Sequence, residues 1–249
     1  MKVYFVGAGP GDVELLTLKA KRLLETCLCC IYAGSLISDE IMAFVPKGVE
    51  LHDSSSMTLG QIVDVVDKCK KSGVDVVRLH SGEPSIYGAI MEQMNELDKL
   101  SIEYEVVPGI SSFQAAAAAL CLELTVPEEV QTVILTRAAG RTPVPPQQDL
   151  ANLAKARATM CIFLSVGLMG DVVKKLTPEY GADTPVAVVF HASRPDQKII
   201  AGFLGDIEKK IKDAEISKTA MIIVGKALLR SGAVSRLYSA DFSHGYRQT

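Results

Sequence analysis

Three short turns combine glycine with small polar residues and could bind a ligand through their backbone. They span residues 7–12 (GAGPGD), 81–88 (SGEPSIYG) and 108–112 (PGISS), and each follows an apolar segment. Glycine lets a ligand come close to the main chain. Since the chain has no GxxxxGK segment followed by Ser or Thr, the turns suit a neutral or cationic nucleoside better than a phosphate. Each turn, taken alone, is also an ordinary link between a strand and a helix.

The first turn resembles the GxGxxG fingerprint of dinucleotide-binding proteins but departs from it at two positions. Asp12 stands where the third glycine would pack helix against strand. Pro10 lacks the amide that would donate to a phosphate. The next predicted strand ends in residues 32–35 (YAGS), without a carboxylate for a ribose hydroxyl. A nicotinamide-dependent oxidoreductase is therefore disfavoured.

The cysteines do not predict a metal site. Cys27, Cys29 and Cys30 lie in an apolar run typical of a strand, and no second pair stands at ligand spacing. No two of the four histidines are spaced to share one helix face. We expect buried, reduced thiols and no metal ligands in the protein, so that any metal would arrive with the substrate.

The elements that position the turns alternate between strand and helix in the first half of the chain. Apolar runs predict strands, and helical spacing predicts helices between them. This order favours a mainly parallel sheet covered by helices on both faces. The strands are expected at 2–6, 27–32, 49–51, 74–79 and 103–107, and the helices at 17–26, 58–72, 85–97 and 111–120.

The second half has more strands and shorter helices, which favours a mixed sheet. It opens with a strand and a proline-rich loop, residues 137–148. We predict two α/β domains, residues 1–112 and 113–249. The expected strands are 130–136, 159–164, 185–190 and 220–224, and the expected helices are 149–156, 170–176 and 204–214.

Composition narrows the class of partner. The 249 residues carry a formal charge of -3, with a pI near 5.9, so no positive field would gather nucleic acid. Charges or turn residues interrupt every apolar run before the ~18 residues that would span a bilayer. The first residues lack the pattern of a signal peptide. We expect a cytoplasmic protein that binds neither nucleic acid nor membrane.

Taken together, the turns resemble those of the class III, tetrapyrrole methylase family of S-adenosylmethionine-dependent methyltransferases. The resemblance covers nearly the whole chain. It implies two α/β domains with the cofactor cleft between them, a homodimer, and methyl transfer that leaves S-adenosylhomocysteine. The segments that carry it are 6–12 (VGAGPGD), 16–20 (LTLKA), 82–88 (GEPSIYG) and 107–112 (VPGISS).

The same resemblance implies a set of residues that contact S-adenosylmethionine. Most of these contacts are expected to come from the backbone. From the first half they are Pro10, Ser81, Gly82, Glu83, Ile86, Ser111 and Ser112; from the second half they are Val166, Ala192 and Ala220.

Within the family, three segments are similar to the branch that methylates precorrin-4 or cobalt-precorrin-4 at C-11. They are 32–36 (YAGSL), 52–59 (HDSSSMTL) and 136–145 (TRAAGRTPVP). The uroporphyrinogen III branch carries an acid at the position of Ala33 and a basic residue in the loop at 54–57. Methylation at C-17 or C-20, methylation of uroporphyrinogen III, and a non-catalytic tetrapyrrole-binding protein stay open as alternatives. The residues do not decide whether the substrate holds cobalt.

A tetrapyrrole substrate carries acetate and propionate groups, and arginine binds carboxylates bidentately. Arg137 and Arg141 are therefore the expected substrate contacts, together with Met57; a solvated loop is the alternative for both arginines. Methyl transfer from a sulfonium needs alignment more than a strong base. No catalytic residue is assigned. If a proton acceptor is required, the candidates are Asp53, His80, Glu83 and Tyr87.

Overall fold

The chain folds into two compact units. The computed structural model describes residues 1–230 together with 232, 235, 242, 243 and 245. The first unit comprises Met1–Ala115 and His191–Asp196, and the second comprises Ala116–Phe190 and Gln197–Thr249. None of the helices in the described part is long and apolar enough to cross a membrane.

The first unit is built on a five-stranded sheet in the order β3-β2-β4-β1-β5, in which every pairing is parallel. This confirms the sheet type expected for the first half. The strands are β1 (Lys2–Gly7), β2 (Cys29–Tyr32), β3 (Glu50–Asp53), β4 (Val76–His80) and β5 (Glu103–Val107). The helices are α1 (Leu18–Thr26), α2 (Asp39–Met42), α3 (Leu59–Ser72), α4 (Met91–Lys99) and α5 (Ser112–Ala119), which crosses the boundary between the units.

Side chains of β1, β2 and β4 alternate between two apolar cores, one on each face of this sheet. Val3 and Phe5 pack against α3 and α4, whereas Val6 packs against α1 and α2. Thr58 begins α3 with a capping box, since its side chain accepts from the Gln61 amide and Gln61 accepts from the Thr58 amide. Burial on both faces explains why the strands are nearly continuous apolar runs.

The second unit has a mixed five-stranded sheet in the order β6-β7-β10-β8-β9, as its denser strand pattern predicted. Strands β6 and β7 pair in parallel, and the other pairings of these five strands are antiparallel. The strands are β6 (Val133–Arg137), β7 (Thr159–Phe163), β8 (Pro185–Phe190), β9 (Lys198–Phe203) and β10 (Ala220–Val224). The helices are α6 (Leu150–Leu153), α7 (Met169–Tyr180) and α8 (Ile207–Asp213).

The prediction of a helix over 85–97 is wrong at its start, because α4 begins only at Met91. Tyr87 and Ala89 have positive φ angles of 56° and 49°. A side chain at Gly88 would overlap the Pro84 carbonyl oxygen. Residues 84–89 therefore form a tight turn and cannot be part of a helix.

Smaller differences concern the second unit. The helix expected over 149–156 is interrupted, because α6 ends at Leu153 and a 3-10 turn follows over Ala154–Ala156. The helix expected over 204–214 begins later, at Ile207. β9 was not expected from the sequence. It lies at the edge of the sheet, and exposed and half-buried residues alternate along it.

Candidate functional site

The three glycine turns meet at the carboxyl ends of β1, β4 and β5, which are neighbours in the parallel sheet. Gly9 and Gly82 form an antiparallel bridge, with the Gly9 amide 3.2 Å from the Gly82 carbonyl and the Gly82 amide 2.8 Å from the Gly9 carbonyl. The Ala8 amide donates to the His80 carbonyl at 2.7 Å. The turn after β5 joins through the Gly109 amide, which donates to Glu83 Oε2 at 2.7 Å.

Glycine is required where the turns touch. A Cβ at Gly7 would lie 2.6 Å from the Gly109 nitrogen and 2.7 Å from the Gly82 oxygen. A Cβ at Gly109 would overlap the same Gly82 oxygen. A residue larger than glycine at position 7 or 109 would therefore keep the three turns from meeting.

Gly82 differs from these two glycines because the space beside it is open. Its φ is +66°, and a Cβ there would approach Ile110 O, Ser111 Cα and Ser112 N no closer than 4.0 Å. The atoms nearest to this space belong to the backbone of residues 110–112. The geometry fits a nucleoside held through main-chain groups.

Glu83 uses both carboxylate oxygens to hold the turns together. Oε1 accepts from the Ser85 amide at 2.9 Å and from the Ser85 hydroxyl at 2.6 Å, and Oε2 accepts from Gly109. Burial alone would raise the pKa of Glu83, but these hydrogen bonds outweigh it and lower the pKa. Glu83 is therefore an ionised structural group, not a base with a free oxygen.

The other proton-acceptor candidates lie in different environments. Asp53 Oδ1 accepts from the Ser55 amide at 2.8 Å. His80 is 5% exposed, and its Nε2 has no partner among the residues that the structure describes. Burial, and then the charge of Arg78, lower the pKa of His80 to about 3, so the ring is neutral near pH 7. Asp53 and Tyr87 are the exposed members of the set.

Five further predicted cofactor contacts lie in the three glycine turns, residues 7–12, 81–88 and 108–112. Pro10 is buried beside the Gly9–Gly82 bridge, and Ser81 is exposed next to it. The Ile86 amide donates to the Glu83 carbonyl at 3.2 Å. Ser111 is buried and Ser112 half-buried at the start of α5. Together with Gly82 and Glu83, these residues lie at one edge of the first unit.

Residues 191–196 group with the first unit although they follow β8 of the second. The Asp12 amide donates to Ser193 Oγ at 3.1 Å, and Arg194 Nη2 donates to the Leu36 carbonyl at 2.7 Å. A Cβ at Gly11 would lie 2.5 Å from Arg194 Cγ. The predicted contact Ala192 is buried in this segment. Sequence reasoning missed Arg194, because one arginine in a loop gives no periodic signal.

Of the remaining predicted residues, Val166 and Ala220 belong to the second unit and Met57 to the first. Val166 is buried after β7, where Ser165 Oγ donates to the Phe163 carbonyl at 2.6 Å and accepts from the Ala138 amide at 2.8 Å. Ala220 is the half-buried first residue of β10. In the first unit, Met57 packs partly buried against the core of α3 and α4.

The two arginines of the proline-rich loop differ in what they contact. Arg137 donates through Nη1 and Nη2 to carbonyls of its own loop, including Thr142 at 3.1 Å and Pro143 at 2.7 Å. Arg141 is exposed. Arg137 therefore shapes the loop, whereas Arg141 presents its guanidinium to solvent.

The fold also brings together cysteines that are distant in sequence. Cys29, Glu50 and Cys69 offer ligand atoms that all lie within 4.8 Å of one another. Burial raises the pKa of both thiols, which favours the protonated form that does not bind metal. The absence of a protein-bound metal stays a prediction.

Most of the chain matches a known protein family. The family model of tetrapyrrole (corrin/porphyrin) methylases matches residues 2–208. A cobalt-precorrin-4 C(11)-methyltransferase of Methanocaldococcus jannaschii is 50% identical over 250 residues, which cover 100% of this chain and 96% of that protein.

Two solved structures are similar along most of their length. The X-ray structure of a cobalt precorrin-4 methyltransferase matches with a TM-score of 0.89 and 43% identity, covering 91% of this chain and 95% of that one. A uroporphyrin-III C-methyl transferase from Thermus thermophilus, complexed with S-adenyl homocysteine, matches with a TM-score of 0.77 and 27% identity, covering 92% and 94%.

Proposed function

The chain belongs to the tetrapyrrole methylase family, and from that premise we propose that it transfers a methyl group from S-adenosylmethionine to C-11 of precorrin-4 or cobalt-precorrin-4 in corrin biosynthesis. The observation that carries this proposal is similarity over the full length to a C(11)-methyltransferase. The junction of three turns beside Gly82 supports it, because it offers main-chain groups to a nucleoside.

S-adenosylmethionine supplies an electrophilic methyl group on a sulfonium sulfur. We propose that the cofactor lies against Gly82, with Pro10, Ser81, Glu83, Ile86, Ser111 and Ser112 around it. Val166, Ala192 and Ala220 are further proposed contacts that the family resemblance implies. The second unit's Ser165 keeps the turn at Val166 in place by bonding both Phe163 and Ala138.

The protein contributes alignment to the reaction. Glu83 is occupied by Ser85 and Gly109, and His80 is neutral and buried, so neither is a strong base exposed to a substrate. A reduced tetrapyrrole is electron-rich and can provide its own nucleophilic carbon. Holding that carbon in line with the methyl group accounts for most of the rate in such a displacement.

We propose that Arg141 pairs with a carboxylate of the substrate, because its guanidinium is exposed. Arg137 and Met57 are proposed as further substrate contacts. We also propose that the domains are residues 1–112 and 113–249. The two compact units support this division, because the longer segment of the first unit, Met1–Ala115, ends close to residue 112.

We further propose that the protein is cytoplasmic and, as the family resemblance implies, a homodimer. Light scattering coupled to size-exclusion chromatography measures the oligomeric state. A mass of twice the monomer's 26.7 kDa is expected. A monomer at working concentration would contradict the dimer and leave the reaction unaffected.

Two experiments separate this function from its rivals. Titration calorimetry with S-adenosylmethionine and with NAD should show binding of the first alone. Incubation with isotope-labelled cofactor then tests turnover. Transfer of the label to the tetrapyrrole is expected, whereas retention of pigment without transfer would identify a non-catalytic binding protein.

A further inference from the structure

In the part of the chain that the structure describes, Arg78 is a buried cation whose hydrogen bonds all go to neutral groups. Its side chain in β4 is 7% exposed. Nε donates to Gln93 Oε1 at 3.0 Å, and Nη1 donates to the carbonyls of Ile31 at 3.4 Å and Leu79 at 3.3 Å. Within residues 1–230, no carboxylate forms an ion pair with it. A buried charge without a counter-ion is costly, and an apolar residue is often more stable at such a position.

Gln93 continues this contact to the turn beside the site. It is 6% exposed in α4, and its Nε2 donates to the Ala89 carbonyl at 2.8 Å. Ala89 and Tyr87 both have positive φ angles, which non-glycine residues rarely adopt. Such backbone persists only where the surroundings fix it. The chain of contacts Arg78–Gln93–Ala89 fixes one end of this turn to the sheet.

The other end of the segment is held in a different way. Gly82 is bridged to Gly9, and Glu83 accepts from Gly109, so residues 82 and 83 are fastened to the turns after β1 and β5. Ile86 lies between the contacts of residues 82 and 83 and the contact of Ala89 with Gln93. Loss of the Gln93 contact would therefore loosen residues 84–89 while leaving Gly82 in place.

We propose that Arg78 is a positioning residue for cofactor binding, which acts through Gln93 to hold residues 84–89 in the conformation that presents Ile86 to S-adenosylmethionine. The identity of the ligand rests on the proposed function. The side chain of Arg78 does not touch the ligand itself. Its charge is maintained near pH 7, because burial lowers the pKa of Arg78 only to about 10.

The test replaces the two partners singly and together. Arg78→Met removes the donor and leaves the Gln93 oxygen buried without it, so this variant should lose stability. The double variant Arg78→Met with Gln93→Met removes both polar groups in favour of flexible apolar side chains. A cavity of about 10 Å³ beside Arg78 and Gln93 gives the methionines room to adjust. Stability should therefore recover in the double variant, although the Ala89 carbonyl loses its Gln93 donor there.

Cofactor affinity separates positioning from stability. Calorimetry should show a Kd for S-adenosylmethionine about tenfold above wild type in both variants, including the stable double variant. Amide hydrogen exchange of residues 84–89 should accelerate in both. Val66→Ala is the matched control, since Val66 lines the same cavity and takes no part in the hydrogen bonds that join Arg78, Gln93 and Ala89. It should lose stability while keeping the wild-type Kd and exchange.

A double variant with wild-type affinity and wild-type exchange at 84–89 would overturn the proposal and make Arg78 merely structural. Failure of the proposed function is recognised separately, because wild-type protein would then not bind S-adenosylmethionine at all. Hydrogen exchange at 84–89 decides the role of Arg78 in that case also. Unchanged exchange would refute it, and faster exchange would support the contact through Gln93.

Discussion

The substitution Gly82→Ala tests the site most economically, because it adds one methyl group at the point where the space is open. The added Cβ would lie 4.0 Å from its nearest neighbours in the protein, which is ordinary van der Waals contact. The cost to folding therefore comes from the backbone. At φ +66° an alanine loses about 1–2 kcal/mol relative to glycine.

The effect on binding has a different origin. If S-adenosylmethionine lies against Gly82, the methyl group occupies space that the ligand needs, and overpacking costs roughly 1–3 kcal/mol. Since 1.4 kcal/mol is a factor of ten, the Kd should rise roughly 5- to 150-fold. Titration calorimetry measures the Kd, and urea denaturation measures the free energy of unfolding.

Gly73→Ala is the control for backbone strain. Gly73 ends α3 with φ +68°, and a Cβ there would meet nothing within 4 Å. It should lose the same ~1–2 kcal/mol of stability while binding the cofactor as wild type does. If Gly82→Ala loses stability to the same extent and keeps the wild-type Kd, the ligand does not approach Gly82.

Three further predictions concern other parts of the protein. Arg141→Ala should raise the KM for the tetrapyrrole about tenfold, the value of one charge-assisted hydrogen bond, with no change in cofactor Kd; weaker cofactor binding in calorimetry would place the loop elsewhere. Ser165→Ala leaves the buried Ala138 amide without its acceptor and should cost about 1–3 kcal/mol in urea denaturation; an effect as small as that of the exposed Ser72→Ala would contradict this role. Burial lowers the pKa of His80 to about 3, below an unfolded value of about 6.5, so protonation favours the unfolded chain. The free energy of unfolding should therefore fall by up to ~1.4 kcal/mol per pH unit as the pH drops from about 6.5 towards 3, and His80→Asn should reduce this loss. Parallel pH profiles of wild type and variant would refute it.

The first sheet could be predicted because its inner strands β1, β2 and β4 are largely buried on both faces. Apolar runs such as Cys29–Tyr32 alternate with helical segments, and a parallel crossover needs such a helix. The meeting of the turns around Gly7, Gly82 and Gly109 then follows from the strand order, since β4, β1 and β5 are neighbours. The identity of the ligand came from family resemblance, because spacing alone distinguishes only a nucleoside from a phosphate.

The features that could not be predicted depend on tertiary contacts. Ser85 precedes a stretch with good helix formers, yet the start of α4 moves to Met91 because residues 84–89 are held in a tight turn. Arg78 accomplishes part of this from β4, the strand before the turn, through Gln93. Residues 191–196 group with the first unit through hydrogen bonds of Ser193 and Arg194, which no local sequence pattern predicts.

The central claim is methyl transfer to C-11, and NMR of the product tests it most directly. The purified protein is incubated without oxygen with ¹³C-methyl S-adenosylmethionine and either precorrin-4 or cobalt-precorrin-4. We expect one labelled methyl group, bonded to C-11, and one equivalent of S-adenosylhomocysteine. A methyl group on another ring carbon would contradict the position while leaving the cofactor site intact, and no transfer to either substrate would contradict the proposed reaction.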